Sequence, residues 1–455
     1  MSTLAYRELY APAHFGNSYE VMAPYEMREM LREAKFWGFT AYGDWFDAAD
    51  LKHPAHNPRH EYLLPQAIRD QKLSSFRLAA QAGMQIDYLL TPNHVFLDQL
   101  APELLAAPDA EGKMFGQLIC PSNPRAREII IENQRGFLRE LAAAGIEVHA
   151  IGACPYDYGG CACPECAPWI LTFGKLMVDI HEAAKEIFPR IQIRLIGWWW
   201  TEEEHRLFSA WADREQPGRF ASLAGHIPYA ETHPQDGRQL PAHCDPQAFV
   251  HIGYGDIDQP SEHYGTWGPS PAPHRLAATV RALRERGLGG FMAYSEGQAD
   301  DVNKALLAGL ASGMFDDPLE LLAAYAERYF GARGDDRAAW ARWLEQWGAP
   351  FTVEVAPARA EFDRLVGRAQ SGWRLEQWAC RLRLFEAHAA VLARPVWDAD
   401  RRAAAARFLE ERQYLYRDVW KLGLVRHVLN PRYAQPAWYG EYDALGARET
   451  TQAEA

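Results

Sequence analysis

Three carboxylates, Asp157, Asp256 and Glu296, each follow a short apolar run, the position from which a strand delivers a side chain to a substrate. Cleavage of a glycosidic bond needs two such groups flanking it, one of them carrying a proton. They stand ~5–5.5 Å apart for retention and ~6.5–9.5 Å apart for inversion. Asp157 lies between Tyr156 and Tyr158 and ahead of two glycines, a partly dry setting that raises a carboxyl's pKa and suits a general acid/base. For its partner, Glu296 directly follows GGFMAY and precedes a glycine, which places it slightly ahead of Asp256 in GYGDID.

Beside Asp157 stand Cys161-x-Cys163-x₂-Cys166, three soft ligands on one tight loop. Zinc takes four, and either Cys120, in GQLICPSNPRAREI, or Cys154 can supply the last. A closed four-thiolate site leaves no position for substrate, so the expected cofactor is a structural zinc, with no organic group. The competing reading is a set of unrelated free thiols.

Sugar rings stack on flat apolar faces, and their hydroxyls take polar partners. Trp45, Tyr158, Trp198, Trp200, Tyr254 and Trp267 are candidate platforms, and His14, Asn17, His94 and His226 candidate hydroxyl partners. Asp44, Asp47, Asp300 and Asp301 could bind hydroxyls too, although such residues are more often caps or solvated charges. Most of the 16 tryptophans are expected to fill core. Glu202–Glu204 read as the acidic first turn of a helix capped by Thr201.

These residues recur at one kind of place, the loop between a short apolar segment and a longer amphipathic one. Strands are expected near Leu9–Ala13, Phe39–Tyr42, Gln85–Leu90, Val148–Ile151, Ile191–Gly197, Ala221–His226, Phe249–Tyr254 and Gly290–Tyr294, with helices between them. Eight alternations predict a (β/α)₈ TIM barrel over residues 1–316, whose catalytic face is built from the loops after the strands. No glycine-rich phosphate fingerprint follows the first strand, which argues against an open doubly wound sheet. The Ala-, Arg- and Leu-rich segments of residues 317–445 predict a helical C-terminal domain, and residues 446–455 a disordered tail.

The bulk properties exclude several classes. A formal charge of −13 disfavours nucleic acid and anionic membranes. No apolar run reaches the ~18 residues of a membrane span, and the N-terminus has no secretory pattern. Seven cysteines, clustered rather than paired, fit a reducing compartment, and the expected location is cytoplasmic. The expected partner is a small carbohydrate substrate; a homo-oligomer is left open.

CPSNPRAR at Cys120–Arg127 and CACPEC at Cys161–Cys166, beside the fourth strand, resemble glycoside hydrolase family 42, β-galactosidases of clan A. The resemblance implies a structural zinc on Cys120, Cys161, Cys163 and Cys166, retaining chemistry, and a nucleophile at the end of strand 7, where Asp256 is nearest. The family carries Asn-Glu-Tyr-Gly ahead of its cysteines; this chain has Tyr156-Asp157-Tyr158-Gly159, an Asp in place of the Glu and no Asn. YSEGQADDVNKALLAG is similar to a segment of uncharacterised glycosidase-like barrels. The expected function is a glycoside hydrolase for small glycosides or oligosaccharides. The alternatives are a sugar hydrolase or isomerase with a divalent ion on His14, His94, His226, Asp157 and Glu296, which no H-x-H or H-E-x-x-H spacing supports, and a non-catalytic carbohydrate-binding barrel.

Overall fold

The computed structural model describes residues 4–13, 17–46, 63–114, 116–226, 239–256, 265–422 and 435–445. Eight parallel strands close into a barrel in sequence order, β1 pairing with both β2 and β8. They are β1 Tyr6–Tyr10, β2 Ala41–Trp45, β3 Gln85–Leu89, β4 Ala150–Ala153, β5 Gln192–Gly197, β6 Phe220–His226, β7 Asp245–His251 and β8 Gly290–Tyr294. The expected TIM-barrel fold is the fold found.

Helices follow the strands in chain order: α1 Pro24–Trp37, α2 Leu63–Gln81, α3 Pro124–Ala143, α4 Trp169–Lys185, α5 Glu202–Glu215, α6 Pro273–Glu285 and α7 Asp301–Ala311. Between β6 and β7 no helix occurs among the described residues. Local chemistry sets the ends. Asn123 caps α3 by accepting from the Arg125 N–H at 2.9 Å, so the turn after Cys120 has a fixed exit. Thr201 is the expected N-cap of α5, and with Glu204 it forms a capping box: the Glu204 N–H donates to Thr201 Oγ1 at 3.2 Å, and the Thr201 N–H donates to Glu204 Oε2 at 2.7 Å.

Strand side chains alternate inward and outward, so the interior fills in layers. Tyr10, Leu89, Ile196 and Phe249, from the odd strands, form an apolar layer with Ala224 and Met292. Two residues earlier on the same strands stand Glu8, Asp87, Arg194 and Gln247, so the next layer is polar. Arg194 Nη1 donates to Asp87 Oδ2 at 2.9 Å, and Tyr6 Oη donates to Glu8 Oε2 at 2.7 Å. Gly43 belongs to this layer because a Cβ there would stand 2.0 Å from Glu8 Oε1.

The chain divides into two compact units. The first holds residues 1–13, 22–251 and 281–294 and contains all eight strands; the second holds 14–21, 252–280 and 295–455. The second unit is helical, with α8 Pro318–Phe330, α9 Asp335–Glu345, α10 Val355–Val366, α11 Trp373–Leu392 and α12 Ala399–Tyr414. Its core is aromatic: Trp343 stands 5.6 Å from Trp347 and 5.7 Å from Trp378, ring centre to ring centre. Among the described residues no helix is long and apolar enough to cross a membrane.

Candidate functional site

Asp157 lies in the turn that follows β4. Its backbone is left-handed (φ 68°), a conformation that Asp tolerates better than most residues, and its N–H donates to the Lys113 carbonyl at 2.9 Å. The turn is pinned on both sides. Trp169 Nε1 donates to the Pro155 carbonyl at 2.7 Å, and the Tyr156 hydroxyl donates to Glu204. Past Asp157, Asn93 bonds both the N–H and the carbonyl of Gly160. Gly160 itself has φ 137°, and a Cβ there would meet Met114 Sδ at 2.1 Å.

The carboxyl of Asp157 is half-buried in a small cleft of the first unit, lined by Trp45, Pro92, Cys154, Tyr156, Tyr158 and Ile196. Burial raises its pKa to about 7, so near neutrality it exchanges a proton readily. Burial also pushes the Cys154 thiol well up, and the nearby Asp157 charge adds to that. Cys154 packs against the apolar layer of the barrel and is no part of the thiol cluster described below.

Aromatic rings surround this corner. Trp45 meets Tyr158 edge-on at 5.2 Å, and His94 meets Tyr158 at 5.5 Å. Trp198 packs 5.4 Å from His251, the last residue of β7, and His251 stands 5.1 Å from Tyr294, the last residue of β8. His251 and Tyr294 are not among the site residues that the sequence suggests. The available signal was the strand end itself, and it was lost for His251 because β7 was expected to run on to Tyr254. Trp199 is exposed in a left-handed turn, while Trp200 is 3% exposed and packs on Phe173, His205 and Phe208. Asp44 is buried as a backbone acceptor for the Ala13 and Trp45 N–H groups. His14, Asp47 and the side chain of His226 lie outside the described residues.

The remaining candidates belong to the second unit. β7 ends at His251, so Asp256 is not the strand-end carboxylate; it accepts from the Arg275 N–H at 2.9 Å in the first turn of α6. Burial raises its pKa, and that N–H opposes the rise. Tyr254 is buried, its carbonyl accepting from Arg275 at 3.1 Å. Trp267 is 1% exposed among Phe351, Phe385, His388 and Phe408, a core residue rather than an open stacking face. Asn17 accepts from the Tyr19 N–H at 3.0 Å. Glu296 stands two residues past β8, buried, its N–H donating to Asp300 Oδ2 at 3.2 Å. Asp300 and Asp301 are not open to hydroxyls: they are buried in ion pairs with Lys304 and Arg374.

Cys120, Cys161, Cys163 and Cys166 bring their sulfurs within 4.8 Å of one another, a group that could hold a metal ion. This selects Cys120 over Cys154 for the fourth place. Cys120 Sγ lies 3.7 Å from Cys163 Sγ and 3.6 Å from Cys166 Sγ. The cluster has outer partners: the Ala107 N–H donates to Cys161 Sγ at 3.4 Å, and Ser122 Oγ lies 3.0 Å from Cys166 Sγ.

No protein-family profile matches the chain, and no curated protein matches it. Similarity to solved structures is found at very low identity. The catalytic domain of a β-amylase from Paenibacillus polymyxa is 9% identical with a TM-score of 0.43, over 68% of this chain and 98% of that one. An α-L-fucosidase from Lactobacillus casei is 10% identical with a TM-score of 0.38, over 63% of this chain and 80% of that one. A GH138 enzyme targeting pectin rhamnogalacturonan II is 9% identical with a TM-score of 0.40, over 95% of this chain and 60% of that one.

Proposed function

We propose that this barrel is a glycoside hydrolase for small glycosides or oligosaccharides, with Asp157 as its general acid/base. The observation that carries the reading is the setting of Asp157. A rigid turn at the exit of β4 holds a carboxyl whose pKa burial lifts to about 7, within an aromatic cleft. Such a group is protonated often enough to load a leaving oxygen and ionised often enough to take a proton back from water. Trp45 and Tyr158 supply apolar faces beside it, and His94 packs against Tyr158. Glu296 is assigned as the second carboxylate, from its place in the chain just past β8; Asp256 falls behind because its carboxyl is committed to the start of α6.

The four-cysteine cluster is proposed to hold a structural zinc. Tetrahedral thiolate coordination with ~2.3 Å bonds sets the sulfurs ~3.8 Å apart. The 3.6 and 3.7 Å spacings fit that geometry, as does a donor set made only of thiols. When bound, the ion supplies a cross-link and no open coordination position. It ties the loop of residues 161–166 to Cys120, just beyond the Asp157 turn.

A panel of α- and β-aryl glycosides of common hexoses and pentoses tests the activity, with wild type, Asp157→Asn, Asp256→Asn and Glu296→Gln compared. The reading expects one glycoside to be cleaved, with Asp157→Asn and Glu296→Gln each losing at least about a hundredfold in kcat and Asp256→Asn retaining activity. Binding of a sugar without cleavage of any glycoside would favour a carbohydrate-binding barrel instead.

A further inference from the structure

Asp300 and Asp301 are neighbours in sequence, both buried, and each is half of an ion pair, yet they hold different things. Asp301 accepts from both ends of the Arg374 guanidinium at 2.8 and 3.1 Å and from Tyr325 Oη at 2.6 Å, joining α7 to α8 and α11. Asp300 instead serves the first two residues that follow β8, and its partner Lys304 the third. Its Oδ1 accepts from Ser295 Oγ at 2.9 Å and from Lys304 Nζ, and its Oδ2 accepts from the Glu296 N–H at 3.2 Å. Lys304 Nζ donates as well to the Gly297 carbonyl at 2.5 Å.

The same segment is held from residues 17–21. Tyr19 Oη lies 2.5 Å from Ser295 Oγ, and Ser18 Oγ accepts from the Gln298 N–H at 3.2 Å. Gly297 adopts φ 131°, and a Cβ there would meet Ser18 Oγ at 2.5 Å. Every residue from Ser295 to Gln298 is therefore fixed by a buried partner. Taking an ammonium and a carboxylate out of water offsets most of their attraction, so net stability is a poor explanation for such a pair. Fixed geometry is a better one.

We propose that the Asp300–Lys304 pair is a positioning device for Glu296, holding residues 295–298 so that the Glu296 carboxylate is presented in one orientation. The proposal rests on the reading of Glu296 as a catalytic carboxylate. Neither Asp300 nor Lys304 takes part in the chemistry itself. The Asp301–Arg374 pair, one residue along, supplies a control, since it is also buried and the Asp301 carboxylate accepts from Arg374 and Tyr325 instead of from the segment.

The test uses the full chain with Asp300→Asn, Lys304→Met and the milder Ser295→Ala, against Asp301→Asn as control. Hydrogen exchange of the peptide spanning residues 295–298 and kcat and KM on the glycoside cleaved by wild type are both measured. The Asp300 and Lys304 variants are expected to speed exchange in that peptide and lower kcat by about tenfold or more, with KM within about threefold. Ser295→Ala shifts both in the same direction by less, and Asp301→Asn loses stability while keeping both near wild type. Wild-type exchange at residues 295–298 in Asp300→Asn, or an equal fall in kcat in Asp301→Asn, would overturn the proposal. Full activity in Glu296→Gln would remove the reading beneath it, a failure distinct from the other two because it leaves the exchange result unchanged.

Discussion

Asn93 grips Gly160 from both sides: its Oδ1 accepts from the Gly160 N–H at 2.9 Å, and its Nδ2 donates to the Gly160 carbonyl at 2.7 Å. The same Nδ2 donates to the Ile119 carbonyl at 2.8 Å. One fully buried amide therefore ties together the end of the Asp157 turn, the approach to Cys161 and the strand-like stretch before Cys120. Asn93→Ala leaves three buried backbone groups without this partner, and a loss of about 2–4 kcal/mol in denaturant unfolding is expected. An unfolding midpoint equal to wild type would mean that the turn is held without it.

Asp157 gives a pH dependence with a definite sign. Burial raises its pKa to about 7, so the acid form is lost above that value, and kcat/KM is expected to fall along an alkaline limb near pH 7. The same shift acts on stability. Between the ordinary carboxylate range and about pH 7 the folded chain keeps a proton that the unfolded chain has released. Stability therefore declines as pH rises through that window. Asp157→Asn should abolish both the limb and this part of the slope; a variant with the wild-type profile would assign them to another group.

Glu8 carries a second stored proton, deep in the barrel. Tyr6 Oη is within hydrogen-bond reach of both Glu8 and Asp87, yet it has one proton to give. Burial first, and then the charge of Asp87, raise the Glu8 pKa well above its usual value, so Glu8 holds its proton. The stability this proton confers is present at acid pH and is lost as pH rises through the raised value. Glu8→Gln keeps an acceptor for the Tyr6 hydroxyl and does not titrate. Its unfolding free energy is expected to vary less with pH than wild type, with the gain largest at alkaline pH. An unchanged pH slope would contradict the assignment.

The thiol cluster predicts about one zinc per chain by elemental analysis of the purified protein. Cys163→Ser, or prolonged chelation, is expected to lower Tm strongly, and catalytic activity should disappear only as the fold is lost. A chain that is equally stable with and without metal would remove the structural role, and activity tracking an exchangeable ion in the folded chain would transfer it to catalysis.

The readability of this chain depended on whether a residue's neighbours in sequence are also its neighbours in space. β8 was read to its ends because Gly290–Tyr294 is a clean apolar run between glycine-rich breaks. β1 was expected at Leu9–Ala13 and lies at Tyr6–Tyr10, since Tyr6 and Glu8 look wrong for a strand until Asp87 and Arg194 meet them inside the barrel. β7 was expected at Phe249–Tyr254 and lies at Asp245–His251. Ile252 and Tyr254 extend its apolar run in sequence while packing within the second unit. That shift put Asp256 at a strand end it does not occupy and hid His251, which does occupy it. The cysteine spacing left the fourth thiol open between Cys120 and Cys154, because the choice rests on a long-range loop crossing that no local pattern records.

The central claim, that Asp157 delivers a proton to the departing group, is tested most directly by varying that group. Wild type and Asp157→Ala are compared on aryl glycosides of the cleaved sugar, one set with leaving groups acidic enough to depart as anions and one set needing protonation. The account predicts that Asp157→Ala keeps much of its first-step rate on the acidic leaving groups and loses about a thousandfold on the others. An equal loss across both sets, or no loss on either, would contradict it.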